Sequence, residues 1–445
     1  MSMKTKALTA AGFLSACLLP TMVLAEEVAA TADSGNTAWI LVCSALVMLM
    51  TPGLAFFYAG MVSRKNVVST LLQNYSALAL VGLVWVVVGY SLVFSEGNAF
   101  IGGLDFFMLK DLGTTLYPSA NVPSFAFVAF QMMFAIITPA LITGSIAERV
   151  NFKAWLVIMF LWSLFVYLPV AHWVWGPGGW IANYGGLDFA GGLVVHITSG
   201  CSGLVAAVMF GKRYKNGHSQ PNDVPMIMLG AALLWFGWFG FNAGSAISSG
   251  ALAAHAFMTT FVGAAAAFVT WMLTDWIRSG KPTAIGSATG IVAGLVCITP
   301  AAGYVSLGAT MLICAIAGVA CNMIAFQMKK VSHLDDALDV FACHGMGGII
   351  GAIFTGVFAS KAINPSITTE GLAISGETGL FLANLLGVFA VAVYSVVLTY
   401  VIIRFVNMFV RIRVSDKVQT EGLDQTMHGE IAKFSGSYTT TRKAS

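Results

Sequence analysis

Apolar residues in this chain recur in stretches of about 20, separated by short polar connections, from near residue 36 to near residue 410. A stretch of that length crosses roughly 30 Å of hydrocarbon as one helix, so each is predicted to span a membrane. The spans are predicted to start near residues 36, 67, 123, 153, 188, 224, 252, 284, 304, 337 and 376, about eleven in all. The run Ala11 to Leu19 is too short to join them, and Lys4 and Lys6 precede it. With the small residue Ala25 closing Val23-Leu24-Ala25, it has the form of a secretory signal peptide over residues 1–25, cleaved after Ala25. The predicted fold is therefore an all-α polytopic membrane protein, with a transmembrane domain over 26–410 and a polar tail over 411–445.

The basic residues orient these spans. Arg64 and Lys65, Arg149 and Lys153, Lys212, Arg213 and Lys215, Arg278 and Lys281, and Lys329 and Lys330 fall in alternate connections, while the others hold only Lys110 and Lys361. Connections rich in Lys and Arg stay in the cytoplasm. The mature N-terminus is thus expected outside, and an odd number of spans puts the tail, with Arg411, Arg413 and Lys417, inside. A multi-pass protein of the cell inner membrane is expected.

Composition narrows the function classes. Hydrophobic residues make up 58% and charged residues 9%, against roughly 25% charged in soluble domains. A net charge of +3 offers no basic field for nucleic acid. Cys43, Cys201, Cys297, Cys314, Cys321 and Cys343 all lie in apolar stretches with no C-x-x-C pair, and are read as small core residues. Small residues such as those of Gly345-Met-Gly-Gly let helix backbones approach closely. No soluble catalytic motif stands in a suitable context, so neither an enzyme nor a cofactor or metal is expected.

Two ionisable residues lie well inside apolar spans, His196 and His344. Such groups are costly in hydrocarbon and usually face a pore. They occupy the fifth and tenth spans, equivalent positions if spans 1–5 and 6–10 form an inverted repeat, which would bring both to the midplane. Asp188, ahead of the fifth span, is read as a helix N-cap, with a part in drawing cations to the pore as the alternative. Asp339 is read as a cap at the cytoplasmic end of the tenth span. A competing reading makes the two histidines axial ligands of a b-type haem. A third makes the chain a sensor that signals through its tail.

Asp188-Phe-Ala-Gly-Gly-Leu-Val-Val-His196-Ile-Thr-Ser resembles the signature of the ammonium transporter (Amt/Mep/Rh) family, as do Gly237-Trp-Phe-Gly-Phe-Asn-Ala-Gly-Ser245, Asp339-Val-Phe-x-x-His344-Gly, Tyr167-x-Pro-x-Ala-His172, Gly144-x-x-Ala-Glu-Arg149 and the tail's Glu421-Gly-Leu-Asp. The resemblance covers nearly the whole mature chain and is greatest to the bacterial channels. It implies a homotrimer of eleven-helix protomers, each with its own pore for ammonium and ammonia. Trp175 and Ser245 match the outer recruitment site, and Phe134 and Phe241 the rings closing the pore below it, with Phe130 one turn before Phe134 a further candidate. His196 and His344 match the paired histidines of the lumen, and Asp188 the family's aspartate near the mouth. The stretch between Trp175 and Asp188 is one residue longer than in the bacterial channels. An indole face attracts a small cation by about 0.5 to 2 kcal/mol; the alternative for Trp175 is an interfacial anchor. The tail, read alone, is a solvated end. The resemblance implies an ordered segment coupling protomers, and a PII-type signalling protein as partner at the cytoplasmic face.

Overall fold

A computed structural model describes residues 32–117, 119–214, 220–331 and 333–432; the signal segment, Lys215 and the tail beyond residue 432 lie outside the described residues. Among the described residues ten helices are long and apolar enough to cross a membrane. They are α1 (Ser34–Met61), α2 (Arg64–Phe94), α3 (Ser124–Ile146), α4 (152–175), α5 (Gly192–Phe210), α6 (Val224–Ala243) and α7 (Ala251–Ser279), then α9 (Leu307–Met328), α10 (Phe341–Phe358) and α11 (Gly379–Phe409). Between α7 and α9 stands the shorter α8 (Ala284–Ile298). Its 15 residues rise only about 22 Å. Because α8 is buried without a break from Ser287 to Ile298, it does not need to match the hydrocarbon thickness.

The eleven predicted spans are all present. The largest offsets in starting point are at α5 and α10, which begin at Gly192 and Phe341 and not near 188 and 337. In each case an aspartate stands ahead of the helix and uses its carboxylate to cap it, so the polar approach is longer than hydropathy alone suggests. Other starts are capped in the ordinary way: Asp33, Asp223, Thr283 and Ser306 accept from amides of the following turn.

The packing repeats. Helix α1 packs on α2 and α3, α2 on α4, and α3 on α5; in the second half α6 packs on α7 and α8, α7 on α9, and α8 on α10. Each half has five spans, an odd number, so equivalent helices run in opposite directions and the repeat is inverted. The halves meet where α1 lies against α6 and where α5 crosses α10, and α11 packs on both α5 and α10. Large apolar side chains such as Leu273, Met311, Leu382 and Phe389 remain exposed on the outside of the bundle, as a lipid-facing surface requires.

The α1 start and the connections after α2, α4, α6, α8 and α10 share one end of the bundle, here the N-terminal face. The opposite end is the tail face. There residues 411–432 are ordered against their own chain. Val414 and Asn151 form backbone hydrogen bonds with Arg149 and Ile412, Gln419 accepts from the Tyr214 amide, and the Asp424 carboxylate accepts from the Val68 and Ser69 amides at the start of α2. The carboxylate thereby caps a helix 356 residues away in sequence.

An ionic cluster fixes the connections beside the tail. Arg213 reaches Glu148 at 2.7 Å and Asp335 at 2.9 Å, and all three side chains are nearly buried. Burial pushes Glu148 up, but Arg213 and hydrogen bonds from Ser63 and Asn66 outweigh it, and the carboxyl lies below the usual range. Asp335 is held low in the same way by Arg213. Carboxyls with depressed values stabilise the fold fully above their unfolded pKa, about 4, and lose that contribution as pH falls through the folded values. Replacing Arg213 with Met strands two buried carboxylates and is expected to cost about 3–5 kcal/mol at pH 7. Thermal unfolding in detergent should show a large drop at pH 7 that narrows as the carboxyls protonate in acid; an equal drop at both pH values would contradict this assignment.

Candidate functional site

The capping of α5 places the first histidine. Asp188 lies ahead of the helix, 6% exposed. Its Oδ1 accepts from the Gly191 and Gly192 amides at 2.8 and 2.6 Å, and its Oδ2 from Leu193 and Val194 at 2.7 and 3.2 Å. One carboxylate thus satisfies four amides that have no partner within the helix. Gly191 turns the chain at φ +117°, a conformation that suits glycine. The first turns, Gly192–Ile197, are π-helical and carry His196.

The second histidine is placed by the equivalent device. The π-helical turn Phe341–Gly345 opens α10 and carries His344, and the Asp336 Oδ2 accepts from the Phe341 amide at 2.7 Å. Asp336 precedes His344 by eight residues, as Asp188 precedes His196. Sequence reading gave this capping role to Asp339. Its carboxylate is instead turned to Lys329 at 2.7 Å, and its backbone lies in the left-handed region at φ +58°. With that backbone turn between them, Asp336 and not Asp339 reaches the free amides.

The crossing of α5 and α10 depends on Gly200, where a Cβ would stand 2.1 Å from the Gly345 backbone nitrogen. With the backbones in contact, the His196 and His344 Nδ1 atoms are 3.3 Å apart. Their rings lie 25° from parallel with centroids 5.3 Å apart. One Nδ1 must donate and the other accept, so the neutral pair shares one proton between its facing nitrogens. Trp238 stacks on His196 with ring centroids 5.4 Å apart. The His196 Nε2 has no hydrogen-bond partner. A cavity of about 10 Å³ beside the pair is walled by the two imidazoles and by apolar side chains such as Leu141, Leu234, Trp238 and Phe241. It has room for about one water-sized molecule. The rings face each other directly, so no porphyrin fits between them and the haem reading fails on geometry.

Four of the other candidate residues meet at the N-terminal face, where Trp175, Ser245, Phe134 and Asp188 all line one cavity of about 380 Å³. The Trp175 Nε1 donates to the Asp188 carbonyl at 3.0 Å, which fixes the indole on the cavity wall rather than at the lipid interface. The Ser245 hydroxyl donates to the Phe241 carbonyl at 2.8 Å, so its lone pairs remain free to accept from a cation. Phe134 stands at the floor of this cavity and Phe241 at the roof of the histidine cavity, with centroids 4.3 Å apart. The two rings are the partition between the cavities. Phe130 lines neither one; fully buried, it braces Phe134 from behind at 4.9 Å.

Sequence reading missed Gln131 on the same wall. It sits three residues before Phe134, on the same face of α3, and its buried Oε1 has no partner. An uncharged polar residue inside an apolar span was the available signal. Tyr304, Asn364 and Ser366 also line this cavity; they come from connections whose fold hydropathy does not indicate.

Residues 38–433 match the family described as the Ammonium Transporter Family. The chain is 47% identical over 399 residues to a protein of Bacillus subtilis named ammonium transporter, covering 89% of this chain and 98% of that one. Its structure is similar to the crystal structure of Saccharomyces cerevisiae Mep2, with a TM-score of 0.82 and 36% identity over 87% of this chain and 89% of the other. It is also similar to a solved structure titled Sensor Amt Protein, with a TM-score of 0.81 and 29% identity over 89% and 98% of the two chains.

The four-amide cap yields a graded expectation. Asp188→Ala strands those amides and should lower stability by at least about 2 kcal/mol, because each buried donor left unpaired costs about 1–3 kcal/mol. Asp188→Asn keeps one oxygen for two of them and should lose less. Thermal unfolding of the full chain in detergent checks the order; equal stability of Asp188→Ala and the native chain would refute the cap.

Proposed function

The chain belongs to the ammonium transporter family, and on that premise we propose that it carries ammonium across the cell inner membrane into the cytoplasm through the two cavities. The N-terminal face is taken as the outside, because the basic connections gather at the tail face. In this reading an ammonium ion is drawn to the outer cavity by the Trp175 ring and hydrogen-bonded by the Ser245 hydroxyl, with Gln131 offering a further acceptor. Asp188 acts through its negative potential and by holding α5.

The observation that carries the proposal is the pair of imidazoles, 3.3 Å apart, behind the Phe134–Phe241 partition in an otherwise apolar lumen. An ion taken past the rings would lose its hydration, and the apolar walls return nothing for it. Imidazole is different, since each ring can both accept and donate a proton. Ammonium therefore releases its proton near the rings and the nitrogen continues as neutral ammonia. The proton is accepted at a bare nitrogen of the pair, while the facing ring gives one up further along. A return of each ring to its starting tautomer completes the cycle, and a full positive charge never rests on the lumen wall beside ammonia. The proposal extends to a homotrimer with one pore per protomer and to a PII-type protein at the tail face; both are supported by family membership and, for the partner, by the ordered tail.

The test is ammonium-evoked current in proteoliposomes on a solid-supported membrane. The native chain should give a current, and the double variant His196→Ala, His344→Ala should lose at least nine-tenths of it at equal reconstitution. Full current in the double variant would sink the relay.

A further inference from the structure

A third cavity, of about 520 Å³, opens on the tail face over the end of α9 and the start of α10. Its walls carry Lys212, Arg213, Lys329, Asp335, Asp336 and Asp339. These charges are not equivalent. Arg213 and Asp335 are committed to each other and to Glu148. Lys330, next to Lys329, is drawn aside over the Phe326 ring at 4.1 Å. Two carboxylates facing the cavity, Asp336 and Asp339, remain, and between them they hold one close cation, the Lys329 ammonium, 2.7 Å from the Asp339 Oδ2.

Asp336 is unusual among these groups. Its residue is 8% exposed, its Oδ2 is used by the Phe341 amide, and its buried Oδ1 has no hydrogen-bond partner. The nearby Ser145 hydroxyl is likewise buried without a partner. In the equivalent position of the first half, both oxygens of Asp188 are fully used. The second half therefore retains an acceptor at the mouth of the pore that the first half has consumed.

The lysine head group is itself an alkylammonium, ammonium with one hydrogen replaced by carbon. A carboxylate that receives it at 2.7 Å has the geometry to receive ammonium. We propose that Asp339, with Asp336 beside it, is a second ammonium site at the tail-face mouth, and that Lys329 is its tethered occupant. A tethered group competes at an effective concentration of order millimolar, and the Lys329 side chain is 55% exposed, so it can leave and return. Free ammonium below that concentration does not displace it, and a released ion is not trapped at the exit. As ammonium accumulates on this side, it replaces the lysine and fills the site. The assignment rests on conduction of ammonium to this face, as read above.

Thermal unfolding of the full chain in detergent tests it, with ammonium chloride titrated against sodium chloride at constant total salt. Lys329→Met should respond at ammonium concentrations about tenfold lower than the native chain, and adding Asp339→Asn should remove that gain. Should Lys329→Met fail to fold, Asp339→Asn alone carries the test, and its millimolar response should fall below that of the native chain. Superposable titrations of native chain and variant overturn the site, and an equal response to potassium chloride overturns its assignment to ammonium. Loss of ammonium current in the native chain would refute the conduction reading while leaving this titration to stand or fall by itself, so the two failures are distinguishable.

Discussion

A backbone amide that meets neither water nor a protein acceptor in the bilayer costs several kcal/mol, and this constraint organises the whole molecule. Asp188 answers it at the point of greatest need. By accepting from four amides it lets α5 begin inside the bundle, beneath the outer cavity, and so sets the depth and rotation of His196. Asp336 does the same for α10 and His344 through the Phe341 amide. The imidazoles then pair through their facing nitrogens, and the lumen is left with a single polar thread. Glycine makes this affordable: with a Cβ at position 200 the two helices could not touch, and the facing nitrogens would part.

The same constraint decides what was legible in the sequence. Eleven spans could be read because hydrocarbon demands unbroken apolar length, and the histidines stood out because ionisable groups are rare there. The Phe134–Phe241 partition was not legible from apolar pattern, since a ring at a pore and a ring in a core are equally hydrophobic; resemblance alone pointed to it. Phe130, drawn from the same turn, proved to be the brace behind the partition. Asp339 reads as a cap from its place just ahead of α10, and only the left-handed backbone there shows that another carboxylate, Asp336, turns towards the helix. Gln131 is a long-range matter: its place on the outer wall depends on the end of α4 and the turn after α6 supplying Trp175 and Ser245 to the same cavity.

The tail illustrates how local polarity misleads. Residues 411–432 read as a solvated end, yet they are ordered by hydrogen bonds to the start of α2 and to the connections after α3 and α5. Asp424 caps α2 across the tail face, and Leu423 donates to the Asn66 side chain. Whatever shifts the tail therefore acts on the start of α2 and on the loop carrying Arg213. That is the ionic cluster beside the tail-face cavity, so the tail and the pore mouth share one set of supports.

The account turns on ammonium being divided, with nitrogen crossing as ammonia and the proton passing along His196 and His344. The most direct measurement is the ammonium-evoked current of the native chain in proteoliposomes prepared in light and in heavy water. A divided ion makes proton transfer part of conduction, so the current should be slower in heavy water by more than the greater viscosity explains. Currents that differ only as viscosity requires would mean that ammonium crosses whole, and would contradict the account.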